Sequence, residues 1–369
     1  MGLHHPPAGH PAHHGTRSRR AARFGILALG ALAITVPLPL PALGAWRQGY
    51  AWLQPVITRL TGRLPVAALD LLIVSVAVAA LGLLWWRRAN VRLLSAALTI
   101  AVLAALLWLS FLALWGWHYQ VPTLETRLSL RPADVGAARG EAFARATVTQ
   151  LNGWYPAAHA TAWPSRADLP AILAPRLAAV LPHLGVATMP ALPAPRPTML
   201  DWYFRAGGID GMTNPFGLEV LLNSRVLPLE LPALAAHEYA HLAGFADEAD
   251  ASVVAWLACQ SGSPALRYSS ALAVLPHLLT GLPRETQRAV IGELGAGPLA
   301  DLRAIAARLA DQKPWVHAFA WQFYDRFLRA NRVSEGVARY DAVARVLIGA
   351  ADPTTGTLRR WPQPWPPSR

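Results

Sequence analysis

Cysteine is almost absent: Cys259 stands alone among 369 residues, so no intrachain disulfide can staple the chain. Charge is scarce as well, at 15% of residues against 54% hydrophobic, which excludes a disordered chain and an ordinary water-exposed globule. Acidic residues are nearly missing from the first third. Residues 1–118 hold 10 Arg and a single acid, Asp70, whereas residues 119–369 hold 23 basic and 20 acidic residues. Most of the net charge of +12 therefore surrounds the N-terminal apolar runs, where it acts as a topology signal and argues against a nucleic-acid partner. No internal repeat is present. Beyond His118 no stretch reaches about 18 apolar residues free of Pro and charge, so residues 119–369 are expected to fold in water.

What the first third does contain is three apolar runs, Phe24–Leu43, Val66–Trp86 and Leu93–Trp117, each near the ~20 residues of a membrane-spanning helix. Trp46, Trp52, Trp85, Trp86, Trp115 and Trp117 stand at their ends, as interfacial aromatics do. Residues 1–23, rich in His, Pro and Arg, are expected to be a disordered basic tail, residues 24–118 a three-helix membrane region, and residues 119–369 the soluble domain. Arg17, Arg19, Arg20 and Arg23 precede the first run, and Arg87, Arg88 and Arg92 fill the short turn between the second and third. Arg47, Arg59 and Arg63 are spread over a longer first loop. The positive-inside rule then puts the N-terminus in the cytoplasm and, after three crossings, the soluble domain outside. Asp70, just inside the second run, is expected to reach toward the interface.

In the soluble part, residues 164–200 are dense in proline and predict short helices broken by extended linkers. Trp202–Arg205 and Leu218–Leu222 read as short strands, the second as a substrate-aligning edge strand. Helical patterns follow over Leu231–Ala243, Glu248–Gln260, Ala265–Leu279, Arg284–Ala296, Leu299–Ala310, Pro314–Ala330 and Val337–Ile348. The fold class is helix-rich α+β.

The chemistry is carried by His237-Glu238-Tyr239-Ala240-His241, an H-E-x-x-H motif in which two histidines one helical turn apart aim at one metal and the glutamate between them can activate a metal-bound water. Chance produces such a match in about one of a hundred sequences of this composition. A straight helix would carry Glu248 about 10 Å beyond His241, too far to share the metal, and Gly244 supplies the turn that brings the chain back. Three carboxylates then stand where a third ligand is wanted. Asp247 has the spacing of the H-E-x-x-H-x-x-G-x-x-H peptidases, Glu248 has the longer reach, and Asp250 lies beyond both. Tyr268 and Tyr340 are candidate oxyanion donors. His277 and His317 are expected to be packed or surface residues, and Cys259 a small buried hydrophobe.

These segments resemble an uncharacterised family of bacterial multi-pass membrane proteins, a domain of unknown function with N-terminal spans and a zincin-like motif. The resemblance is carried by Gly211–Phe216, His237–Cys259, Arg267-Tyr268-Ser269, and Asn331–Ile348 with Gly336 and Tyr340. Asp250 stands where that family usually has Glu and Ser252 where it has Asn, which favours Glu248 as the third ligand. The resemblance implies a zincin-like peptidase fold in the bacterial inner membrane. The expected protein is a multi-pass, membrane-anchored zinc metallopeptidase with an extracytoplasmic C-terminal domain. His237, His241 and Glu248 would hold Zn2+, Glu238 would be the general base, and the partners would be the lipid bilayer and a peptide or protein substrate. The rival is a non-catalytic membrane protein with a structural metal, whose soluble domain binds an envelope partner.

Overall fold

The structure is a computed structural model that describes residues 14–90, 93–331, 342–363 and 365. The first apolar run does not form one helix. Helix α1 (His14–Thr35) stops before Pro37, Pro39 and Pro41, and α2 (Leu40–Gly62) starts with proline in its first turn, where its missing N–H is harmless. The expected span Phe24–Leu43 is thus broken by its own prolines, and the expected first loop is a 23-residue helix. Helices α3 (Ala68–Asn90) and α4 (Leu93–Leu114) fall on the second and third runs. Among the described residues one stretch, Ala97–Leu114, is long and apolar enough to cross a membrane; the apolar parts of α1 and α3, Ala22–Ala33 and Ala68–Gly82, are shorter. Of the expected tail, residues 1–13 lie outside the described residues, and residues 14–23 are the first turns of α1.

A 3-10 turn, Gly116–Gln120, leads from α4 into a helix-rich body with few strands. In order come α5 (Leu124–Arg127), α6 (Ala137–His159), α7 (Leu169–Val180), α8 (Asp201–Gly207), β1 (Gly211–Asn214), β2 (Glu219–Leu222), α9 (Leu231–Leu242), α10 (Glu248–Gln260) and α11 (Pro264–Thr280). The chain ends with α12 (Arg284–Gly292), α13 (Ala296–Leu309), α14 (Pro314–Ala330), α15 (Ala342–Ala350) and the two-residue strands β3 (Ala351–Asp352) and β4 (Thr357–Leu358). Helix α10 is the hub. It packs on α7, α9, α11 and α15, and every residue in it except Ser252 is buried, so it shows no polar stripe along its length.

Three local expectations change. Trp202–Arg205 lies in α8, not in a strand, because a four-residue apolar run suits either element and Gly208, at φ 70°, closes it as a helix cap. The expected helix Arg284–Ala296 ends at Gly292, since Gly295 and Ala296 start α13. Residues 337–341 of the last expected helix lie outside the described residues. Helix α6, which packs along α11, carries no strong signal in the sequence and was not expected.

The helices of the first third are stitched to the body by buried polar groups. Glu219 on β2 accepts hydrogen bonds from the backbone N–H of Ala68 (3.0 Å) and Leu69 (2.9 Å), satisfying donors at the start of α3, and from Asn214 Nδ2 (2.9 Å). Asp70 accepts from Thr198 Oγ1 (2.6 Å) and Met199 N (2.9 Å), so it is occupied by the body of the protein. Asp250 accepts from Leu124 N at 3.0 and 2.9 Å and ties α10 to the segment after α4. Because Glu219 is 2% exposed, Glu219→Ala leaves two helix-start donors unsatisfied. It should lower the stability of the purified chain by about 1–3 kcal/mol, read by denaturant unfolding. An unchanged transition would mean that α3 is held by other contacts.

Candidate metal centre

Helix α9 starts with Pro232 in its first turn and places His237 and His241 one turn apart on one side. It ends at a left-handed glycine. Gly244 has φ +96°, its N–H meets the His241 carbonyl (2.8 Å), and Phe245 N meets the Ala240 carbonyl (3.1 Å), so two terminal carbonyls are satisfied as the chain turns. Asp247 then caps the next helix by accepting from Ala249 N and Asp250 N, both at 3.1 Å. Glu248 is the first residue of α10, and the reversal carries its side chain back to the histidines.

His237, His241 and Glu248 converge. His237 Nε2 lies 3.1 Å from Glu248 Oε2 and 3.1 Å from His241 Nε2, and the third side, His241 Nε2 to Glu248 Oε2, is 3.5 Å. Ligands bound to tetrahedral zinc at about 2.0–2.1 Å lie about 3.3–3.4 Å apart, so the triangle has the edges of such a site. The outer contacts point the same way. His241 Nδ1 meets the Phe245 carbonyl at 2.6 Å; a carbonyl only accepts, so Nδ1 carries a proton and Nε2 is the ring nitrogen that faces the triangle. His237 Nδ1 meets Ser252 Oγ (3.1 Å), and Tyr324 on α14 donates its hydroxyl proton to Glu248 Oε1. Asp247 and Asp250 are engaged with backbone N–H groups elsewhere.

Charge is coupled within the triangle. Burial opposes a charged His241, yet the Glu248 carboxylate beside it raises its pKa to about 9. Burial likewise opposes ionised Glu248, but His241 and His237 hold its carboxyl well below the usual range. Glu238 lies close enough to the triangle to feel its charges, but its hydrogen bond is made outside it. Its Oε2 accepts from Thr213 Oγ1 on β1 (2.8 Å), and burial pushes its pKa up against the pull of the two histidines. A Cβ at Gly211 would sit 2.7 Å from Glu238 Oε1, so glycine leaves room for the carboxylate.

The strand beside Glu238 is therefore β1, which corrects the expected edge strand. β2 is paired on both sides, with β1 antiparallel and with Arg196 through Arg196 N to Val220 O (3.0 Å) and Leu222 N to Arg196 O (3.2 Å). Among the described residues the other edge of β1 pairs with no strand. Sequence reasoning also missed the support behind the turn. His118 fills the space at Gly244, and its ring lies 4.4 Å from Tyr50 and 4.6 Å from Trp46. Both His118 nitrogens are buried with no hydrogen-bond partner among the described residues, and burial, with Arg47 and His241, lowers its pKa far enough to keep it neutral. Tyr324 lies 76 residues from Glu248 and has no signal in the sequence that could have found it.

Tyr268, His317 and Cys259 have other surroundings. Tyr268 donates to Asp301 Oδ2 (2.5 Å), Tyr340 lies outside the described residues, and His317 Nδ1 meets the Gly207 carbonyl (2.9 Å). Cys259 is fully buried, which pushes its thiol up to about 12.

The family model described as Protein of unknown function (DUF3810) matches residues 46–348, and the chain belongs to this family. No curated protein and no solved structure matches it.

The turn makes a direct prediction. Gly244→Ala combines a strained positive φ with a Cβ 2.8 Å from His118 Cε1. It should lower unfolding stability by about 1–3 kcal/mol. Adding His118→Ala should restore the steric share of the loss but not the backbone share. Full stability in Gly244→Ala would show that the turn tolerates a side chain.

Proposed function

We propose that this DUF3810 member is a membrane-anchored zinc-dependent peptidase in which His237, His241 and Glu248 are the metal ligands and Glu238 is the general base. The observation that carries the reading is the triangle of two imidazole nitrogens and one carboxylate oxygen with edges of 3.1, 3.1 and 3.5 Å, with Glu238 next in sequence to its first member. Zinc, when bound, would supply the Lewis acidity that activates water and polarises a scissile carbonyl. Three protein ligands leave a fourth position for that chemistry, whereas structural zinc sites are closed by four.

Glu238 accepts the proton of the attacking water and passes it to the leaving amine. Burial raises its pKa above the ordinary carboxylate value, the direction that a group which both takes and returns a proton requires. Thr213 holds one carboxylate oxygen and so fixes the direction of the other. An extended peptide would add alongside Glu238 at the edge of β1 that no described strand takes. Tyr324 and Phe245 orient Glu248 and His241, and Ser252 orients His237.

The membrane part of the reading is supported by where the apolar helices end. The start of α3 is capped by Glu219, the segment after α4 is tied to Asp250, and Leu38, after α1, donates to Gln120 Oε1 (2.9 Å). Three helix ends thus meet one body, as they would if α1, α3 and α4 crossed a bacterial inner membrane in turn. The arginines at 17–23 and at 87–92 would then face the cytoplasm and the body the outside.

Glu238→Gln keeps the shape of the side chain and loses the base, so zinc content should stay at the parent level while peptide hydrolysis falls ~10²–10⁴-fold. Unchanged turnover in an active preparation would overturn the mechanism. The ligand set is read separately by metal stoichiometry. Glu248→Ala should lose zinc, and Asp247→Ala should keep it while losing about 0.5–2 kcal/mol of stability from the missing helix cap. The reverse pattern of zinc loss would make Asp247 the ligand.

A further inference from the structure

We infer that α2 lies in the plane of the membrane surface, with Trp52, Val56 and Leu60 in lipid and its opposite side carrying the body of the protein, so that the bilayer is the platform on which the metal centre stands. The inference rests on the membrane-anchored reading of α1, α3 and α4. Chain continuity sets the level of α2: residues 36–39 join it to α1 and residues 63–67 join it to α3. Links this short reach at most about 14–18 Å, against roughly 34 Å for the helix itself. Neither end can leave the surface where the apolar helices emerge.

The two sides of α2 differ in kind. Tyr50, Gln54, Thr58 and Thr61 recur at helical spacing and face the body. Tyr50 Oη donates to Leu242 O (3.1 Å), Thr58 Oγ1 to Leu218 O (2.8 Å) and Thr61 Oγ1 to Gly217 O (2.9 Å), while Gln54 exchanges two bonds with the backbone of Ala191, each 2.9 Å. The opposite side presents Trp52, Val56 and Leu60, which are 82%, 50% and 57% exposed. Arg59 and Arg63 are exposed on this same side by helical spacing. Two arginines within an apolar stripe suit the phosphate level of a bilayer, where their stems lie along lipid and their heads meet anionic groups. A tryptophan at the other end of the stripe suits the same depth.

The seating reaches the site directly. Tyr50 holds the carbonyl of Leu242, next to His241, and with Trp46 it encloses the His118 ring that fills the Gly244 turn. A helix fixed at the headgroups thereby fixes the distance of the metal centre from the membrane. The substrates favoured are polypeptide segments held close to the outer surface.

The test uses the full chain with one added cysteine at a time, since Cys259 is fully buried and shielded from labelling. Val56→Cys, Leu60→Cys, Val78→Cys on α3 and Ala289→Cys on α12 are labelled with an environment-sensitive fluorophore and reconstituted into phosphatidylcholine–phosphatidylglycerol vesicles, with or without acyl-chain nitroxide lipid. Probes at 56, 60 and 78 should lose most of their emission to the nitroxide lipid, and the probe at 289 should not. Quenching at 78 without quenching at 56 and 60 overturns the in-plane placement and leaves the anchor intact. No quenching at 78 overturns the anchor. Probes at 56 and 60 that are shielded from aqueous iodide yet untouched by the nitroxide lipid would show a protein covering this face, which also overturns the inference.

Discussion

The reversal at Gly244 is the constraint on which the rest of the site depends. Two histidines on one helix turn can face a common point, but a third side chain from the same chain segment reaches it only if the helix stops and the backbone comes back. The left-handed φ of Gly244 stops it, and the carbonyls left at the end of α9 find partners in Gly244 and Phe245. The Phe245 carbonyl then serves a second purpose by fixing the tautomer of His241. One turn thus ends a helix, orients a histidine and returns Glu248.

Holding that turn requires unusual packing. Its glycine admits no Cβ because His118 occupies the space, and His118 sits in an aromatic box built from α2 and the end of α4. Burying a neutral imidazole with no hydrogen-bond partner is costly, and edge contacts with Tyr50, Trp46 and Trp115 offset part of that cost. On the other side, α10 starts with three acids and then runs apolar into the core. Each acid has a separate destination: Asp247 caps the helix, Glu248 joins the histidines, and Asp250 meets the backbone at Leu124. Their distribution explains how consecutive carboxylates can be accommodated at a buried helix start without facing one another.

The N-terminal helices and the body form one construction. Helix α2 contributes hydrogen bonds to the body on one side and apolar surface on the other, while Glu219 and Asp70 join α3 to the hairpin and to the Thr198 loop. The hydrophobic core accordingly includes Tyr50, Phe111, Leu112 and Trp115 together with residues of α9 and α10. Packing by the N-terminal helices and by the body therefore reinforces the same turn.

The sequence by itself determined the H-E-x-x-H pair, the glycine turn, the start of α9 and the bounds of α10 and α14, because these rest on local signals: helical spacing, an acid-rich helix start and a glycine that must adopt positive φ. It also showed that the chain is helix-rich, while leaving three acids in competition for one place. Reach and the family resemblance favoured Glu248 among them, but which carboxylate faces the histidines depends on the rotation of α10 about its axis, and that rotation is decided by packing on α7, α9, α11 and α15. The same holds for β1 as the outer strand of the hairpin among the described residues, for Tyr324 and for His118: strand pairing and contacts between residues distant in sequence leave no periodicity to read. Helix α2 was hidden for a different reason. Its polar and apolar sides average to an unremarkable loop composition, and only the docked body shows which side is covered.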